Sequence, residues 1–140
     1  MLGRAVAIGI FLVLAFYFMA SDGGKPLHFL LKNPGKRVAW LHLSQADAVR
    51  IMKEQSDYIV VDARSPQEYA AGHIPGAINI PYDNIGYEKL KEIPEMEQPV
   101  FVYCQNGMRS RQAAEKLMVI GYKRVCEFGG FSGWKGDIET

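Results

Sequence analysis

The chain reads as an α/β domain built on an open, mainly parallel five-stranded sheet with helices on both faces, preceded by one N-terminal transmembrane helix. Three observations carry this expectation. Short apolar runs alternate with helical periodicity from Val38 onward, the pattern of strand-helix-strand units. Two of the runs, YIVV and VFVY, lack polar alternation, as strands covered on both faces do. Lastly, no charge stands between Arg4 and Asp22, which leaves an unbroken apolar segment at the start.

At ~1.5 Å per residue, Ala5 to Ala20 would span roughly 24 Å, and Leu2 with a snorkelling Arg4 extends this toward the ~30 Å of a bilayer core. Residues 1–21 are therefore expected to form a membrane anchor. A cleaved secretory signal competes, opposed by the length of the run and by bulky Phe18 ahead of a cleavage after Ala20. Lys25, Lys32, Lys36 and Arg37 outnumber Arg4 across this segment. The positive-inside tendency then favours a cytoplasmic domain, with the exported side as the alternative. A reducing cytosol would keep both cysteines as thiols. Residues 22–37, rich in Gly, Pro and Lys, read as a linker, and residues 38–140 as one domain.

Within that domain VAWL, from Val38 to Leu41, is a candidate first strand. A helix follows in LSQADAVRIMKEQ, where Ser44 can cap, Asp47 lies in the first turn, and Ala48, Ile51 and Met52 form an apolar face. YIVVD, Tyr58 to Asp62, is the next strand. In SPQEYAAG, Ser65 and Glu68 form a capping box around Pro66, and Gly72 ends the helix. Ala77 to Ile80 gives a short strand, and Asn84 to Leu90 a loose helical stretch. VFVYC, Val100 to Cys104, is a central strand, and Arg109 to Ile120 a helix with Ala113, Leu117 and Ile120 inward, stopped by Gly121. RVCEF is the last strand.

Composition excludes some functions. A formal charge of +1 across 140 residues supplies no concentrated basic face for nucleic acid. Two cysteines, Cys104 and Cys126, without a CxxC pair argue against a disulfide scaffold or a zinc site.

The chemistry centres on CQNGMRS, residues 104–110. Ligands collect at the carboxyl ends of strands in an open parallel sheet, and Cys104 ends its strand. The helix behind it offers unsatisfied amides and partial positive charge, which stabilise a thiolate. Gly107 permits the turn and the convergence of amides. Gln105 and Asn106 suit a solvent-filled mouth, and Asn106 also tolerates unusual backbone angles. Arg109 can hold a cation at the rim or tie the loop to carbonyls, and Ser110 can support the first turn. From spacing alone, a nucleophile and a small buried thiol both remain open. Cys126, alternating with Val125 and Phe128, reads as an ordinary strand residue.

VDARSPQEYAAGHIPGAINIP (61–81), VYCQNGMRS (102–110) and GGFSGW (129–134) together resemble the rhodanese domain, from about Leu43 to the C-terminus. The resemblance implies a sulfurtransferase that carries sulfane sulfur as a persulfide on Cys104, with the amides of Gln105, Asn106, Gly107, Met108, Arg109 and Ser110 as its cradle and no metal or organic cofactor. Its implied partners are thiosulfate or a protein persulfide as donor, and a thiol or cyanide as acceptor. Dual-specificity phosphatases are similar in fold but need one residue more between cysteine and arginine than the four of QNGM. Asp62 is either a partner of the loop amides or arginine, or a purely structural acceptor. Arg64 and Glu68 are expected to pair locally, His73 to bond backbone rather than act as a base, and Trp134 to anchor the C-terminal tail. The alternatives to turnover are a membrane-tethered sulfur relay and a catalytically idle interaction module.

Overall fold

In the computed structural model, which describes residues 40–140, the apolar runs form one parallel sheet. Its strands are β1 (Leu41–His42), β2 (Ile59–Asp62), β3 (Ile78–Asn79), β4 (Val100–Cys104) and β5 (Val125–Gly130), ordered β1-β5-β4-β2-β3. Central β4 is buried at every position, so VFVYC has no solvent face on which polar residues would alternate. The helices are α1 (Gln45–Glu54), α2 (Pro66–Ala71) and α3 (Met108–Ile120). Ser44 caps α1 by accepting the Asp47 amide at 3.1 Å. Ser65 and Glu68 cap α2 reciprocally, at 3.2 and 2.9 Å, the capping box expected from the sequence.

Strand register decides which side chains can meet. Val61 pairs with Val102, and Val102 with Glu127. Side chains alternate along a strand, so Val61, Val102, Cys104 and Glu127 share one face of the sheet. Asp62, Tyr103, Cys126 and Phe128 take the other. The first face packs with Ala113, Ala114 and Leu117 of α3, and Tyr122, Ile85 and Ile93 complete that core.

Three expectations change. Of the first strand expected over Val38 to Leu41, Val38 and Ala39 lie outside the described residues, Trp40 is not in the strand, and the pairing to β5 runs on past Leu41 to His42. The helix expected over Asn84 to Leu90 is absent. A single 3₁₀ turn occupies Tyr82–Asn84, and farther on a side chain replaces helical bonding. The Tyr122 hydroxyl accepts the Leu90 amide at 2.9 Å and donates to the Ile93 carbonyl at 2.8 Å. Helix α3 begins one residue earlier than Arg109, directly after Gly107. The expected anchor (1–21) and linker (22–37) lie outside the described residues, among which no helix is long and apolar enough to cross a membrane.

Tyr122 is fully buried, so its hydroxyl has no access to bulk water. Tyr122→Phe leaves the Leu90 amide and the Ile93 carbonyl without this partner and is expected to cost about 1–3 kcal/mol of stability. Urea denaturation measures this, and an unchanged midpoint would contradict the role given to the hydroxyl.

Candidate active site

Cys104 closes β4 with its side chain fully buried, on the face covered by α3. The turn that follows is made possible by Gly107, whose φ of 91° lies in the left-handed region and which caps α3 without a side chain. This places the Gly107 N–H against Cys104 Sγ at 3.0 Å. The sulfur also lies 3.5 Å from Ser110 Oγ, to which the thiol can donate. Asn106 has no positive φ, so its tolerance of unusual angles is not used. Instead its Oδ1 accepts the Met108 amide at 3.2 Å. In this resting arrangement Gly107 supplies the amide directed at the sulfur, and Asn106 holds that of Met108.

The loop is pressed against the end of β5. Cys104 pairs with Gly130 across a register shift, and a Cβ on Gly130 would collide with the Gln105 carbonyl oxygen and Asn106 Cα. Glycine at this position is therefore required by close backbone approach. The Ser132 amide then ties down the Gln105 carbonyl at 3.1 Å.

Arg109 is not a free cation at the rim. Its guanidinium binds Glu68 in bidentate fashion, at 2.7 and 2.9 Å. Donation from Arg109 holds the Glu68 carboxyl down to about 2, from an ordinary value of 4.5. The expected pair between Arg64 and Glu68 does not form. Arg64 binds Asp62 instead, with Nη2 to Oδ2 at 2.6 Å and Nε 3.0 Å from both oxygens.

Asp62 bonds no loop amide and not Arg109, because register puts it on the opposite face from Cys104. It accepts the Tyr103 hydroxyl at 2.7 Å, and burial raises the titration of that phenol above its ordinary range. Arg64 lies 4.2 Å from the Phe131 ring centre and reaches the loop through Gln105 Oε1 at 3.3 Å. Asp62 and Arg64 thus brace the loop from the side. Met108 is exposed at the mouth.

The remaining residues fall where the sequence placed them. His73 Nδ1 bonds the Tyr69 carbonyl at 2.8 Å, its ring stacked on Tyr69 at 3.7 Å. Trp134 packs near Phe128 and donates to the Asp137 carbonyl at 2.9 Å. Burial pushes the Cys126 thiol up to about 12, and its side chain faces away from the loop. Among the described residues no cluster of three His, Cys, Asp or Glu is arranged to hold a metal.

Glu127, in contrast, escaped the sequence reading. It is fully buried beneath the loop, where Oε1 accepts the Ser110 hydroxyl at 2.8 Å and the Gly129 amide at 2.6 Å. Its Oε2 lies 2.6 Å from His42 Nδ1. The overlooked signal was a lone acid in the strand RVCEF, since a buried charge requires partners.

Residues 44–137 match the rhodanese-like domain family, and the chain belongs to that family. It is 33% identical to the thiosulfate sulfurtransferase GlpE of Pseudoalteromonas translucida over 99 residues, 70% of this chain and 91% of that protein. A sulfurtransferase of Allochromatium vinosum is 39% identical over 84 residues, 59% of this chain and 77% of the relative. Among solved structures, a rhodanese with anions from E. coli superposes with a TM-score of 0.53 at 32% identity, covering 59% of this chain and 98% of that one.

The ion pair at the rim has a pH signature. Folding lowers the Glu68 titration, so the pair's contribution is complete above the ordinary carboxylate range and is lost as pH falls through about 2. Both side chains are about one-third exposed, 33% for Glu68 and 30% for Arg109, which limits the effect to about 1 kcal/mol or less. Urea midpoints of wild type and Glu68→Gln are expected to differ at neutral pH and converge toward acid; a gap that widened toward acid would reverse the assignment.

Proposed function

We propose that the chain is a rhodanese-type sulfurtransferase that moves sulfane sulfur through a persulfide on Cys104. The observation that carries this is the Cys104 sulfur at the carboxyl edge of the parallel sheet, held by the Gly107 amide at 3.0 Å. The four residues between Cys104 and Arg109 close a ring suited to one sulfur atom rather than a phosphate. The two similar sulfurtransferases support the same chemistry.

In the first half-reaction Cys104 Sγ attacks the outer sulfur of thiosulfate, the S–S bond breaks, and sulfite leaves with the bonding pair. The thiol proton passes to a base, leaving a Cys104 persulfide anion. Loop amides stabilise that charge. In the second, a thiol or cyanide takes the outer sulfur, and Cys104 departs as thiolate. Such two-step covalent transfer gives ping-pong kinetics.

A protein persulfide as donor is the second reading. It is favoured by the engagement of Arg109 with Glu68, because a dianionic donor would have to compete with that carboxylate for the guanidinium. A place at the membrane, with residues 1–21 as anchor and the domain on the cytoplasmic side, belongs to the proposal on the strength of the apolar segment between Arg4 and Asp22.

Thiosulfate treatment is expected to add one sulfur to the intact mass of wild type and of Cys126→Ser, and none to Cys104→Ser, with thiocyanate release on adding cyanide. Turnover by Cys104→Ser would sink the assignment. Loading by a persulfide but not by thiosulfate would select the second reading. For the anchor, the full chain should stay with membranes through carbonate extraction, and a mature protein starting at Ser21 would exclude it.

A further inference from the structure

Glu127 is a fully buried carboxylate one side chain away from the nucleophile. Ser110 stands between the two. Its hydroxyl has one hydrogen and four oxygen or sulfur neighbours: Glu127 Oε1 at 2.8 Å, the Gly107 carbonyl at 3.1 Å, and the Gly129 carbonyl and Cys104 Sγ at 3.5 Å. The shortest contact is also the charge-assisted one, so the hydrogen points to Glu127. The lone pairs of Ser110 Oγ are then left to accept the Cys104 thiol. In the resting site the chain S–H, Oγ–H, carboxylate is aligned to pass a proton from the sulfur to the carboxylate.

We propose that Glu127 is the proton acceptor for Cys104, acting through Ser110, with His42 as its link to solvent. The proposal rests on Cys104 being the sulfur carrier. As Cys104 Sγ forms its bond to the outer sulfur, the thiol proton moves to Ser110 Oγ, and the proton of Ser110 moves to Glu127 Oε1. A thiol, a thiosulfate dianion and a carboxylate become a persulfide anion, sulfite and a carboxylic acid, with total charge unchanged. When the acceptor removes the outer sulfur, the path runs in reverse and reprotonates the departing Cys104 thiolate. Glu127 thus serves both half-reactions.

The other groups around the path fit this role. His42 of β1 meets Glu127 Oε2 through Nδ1 at 2.6 Å, and its side chain is 56% exposed. The carboxyl is thereby connected to water without opening the loop. From α3 the groups facing the path are Ser110 and, on the Cys104 side, Arg109, whose charge senses Cys104 and is paired with Glu68. Helix α1, also against β5, presents the neutral Gln45, which donates to the Gly130 carbonyl at 2.6 Å. The Gly129 amide donates to Oε1 at 2.6 Å and keeps the carboxylate aimed at Ser110.

The test uses the full chain with Cys126→Ser as background, comparing Glu127→Gln and Ser110→Ala with that parent. Two rates are followed against pH: sulfite release on thiosulfate loading, and alkylation of Cys104 by iodoacetamide. Both variants are expected to be slower by at least about tenfold near pH 6.5 and to approach the parent as the solution is made alkaline, where hydroxide can take the proton in place of the carboxylate. A loss equal at all pH values would mark Glu127 as a structural brace and overturn the proposal. Unchanged or faster reaction at low pH would overturn it too, showing a charge that merely opposes the thiolate. If Glu127→Gln does not fold, Ser110→Ala decides. If the parent releases no sulfite, thiosulfate is not its donor; failure to load from a persulfide as well would sink the sulfur-carrier reading, and alkylation still judges the proton path by itself.

Discussion

Everything at the site depends on how closely two chain segments approach at the end of the sheet. Gly130 sits beside Cys104 on the neighbouring strand, and the Gln105–Asn106 backbone runs where a Cβ would otherwise stand. That approach lets Gly107 turn into the left-handed region and aim its amide at the sulfur. It also brings Ser110 and the β5 carboxylate beneath the same atom. A larger side chain at Gly130 would push the loop away and separate all these groups together.

Charge is handled by pairing rather than by exposure. Arg109 is spoken for by Glu68, and Arg64 by Asp62. Glu127 is supplied by three donors or partners despite full burial. Burying an ionised group without partners is costly, so each pair constrains the residues around it. The Arg64 and Asp62 pair, packed with Tyr103 and Phe131, holds one flank of the loop through Gln105. The Glu68 and Arg109 pair joins the start of α2 to the start of α3 across the mouth.

Much of this was legible in the residues. Capping at Ser44 and Ser65 is local, requiring contacts within three residues, and local patterns survive in any tertiary setting. The buried strands were legible because a two-sided core leaves a continuous apolar run. The segment after Asn84 was misread because Tyr122, distant in sequence, satisfies its backbone groups. Arg64 and Glu68 looked like partners by proximity along the chain, yet each found a better one. Asp62 turned from the loop because strand alternation sent it to the far face.

The sequence by itself determined the alternating architecture, the place of Cys104 at a strand end, the four-residue gap to Arg109, and a glycine where the turn requires one. These are properties of neighbouring residues, and their physical causes act over a few bonds. Only the tertiary structure decided which ions pair, and that His42, Glu127 and Ser110 line up beneath the thiol. Those groups come from β1, β5 and α3. Strand order, register and the packing of α3 on the sheet bring them within hydrogen-bonding distance.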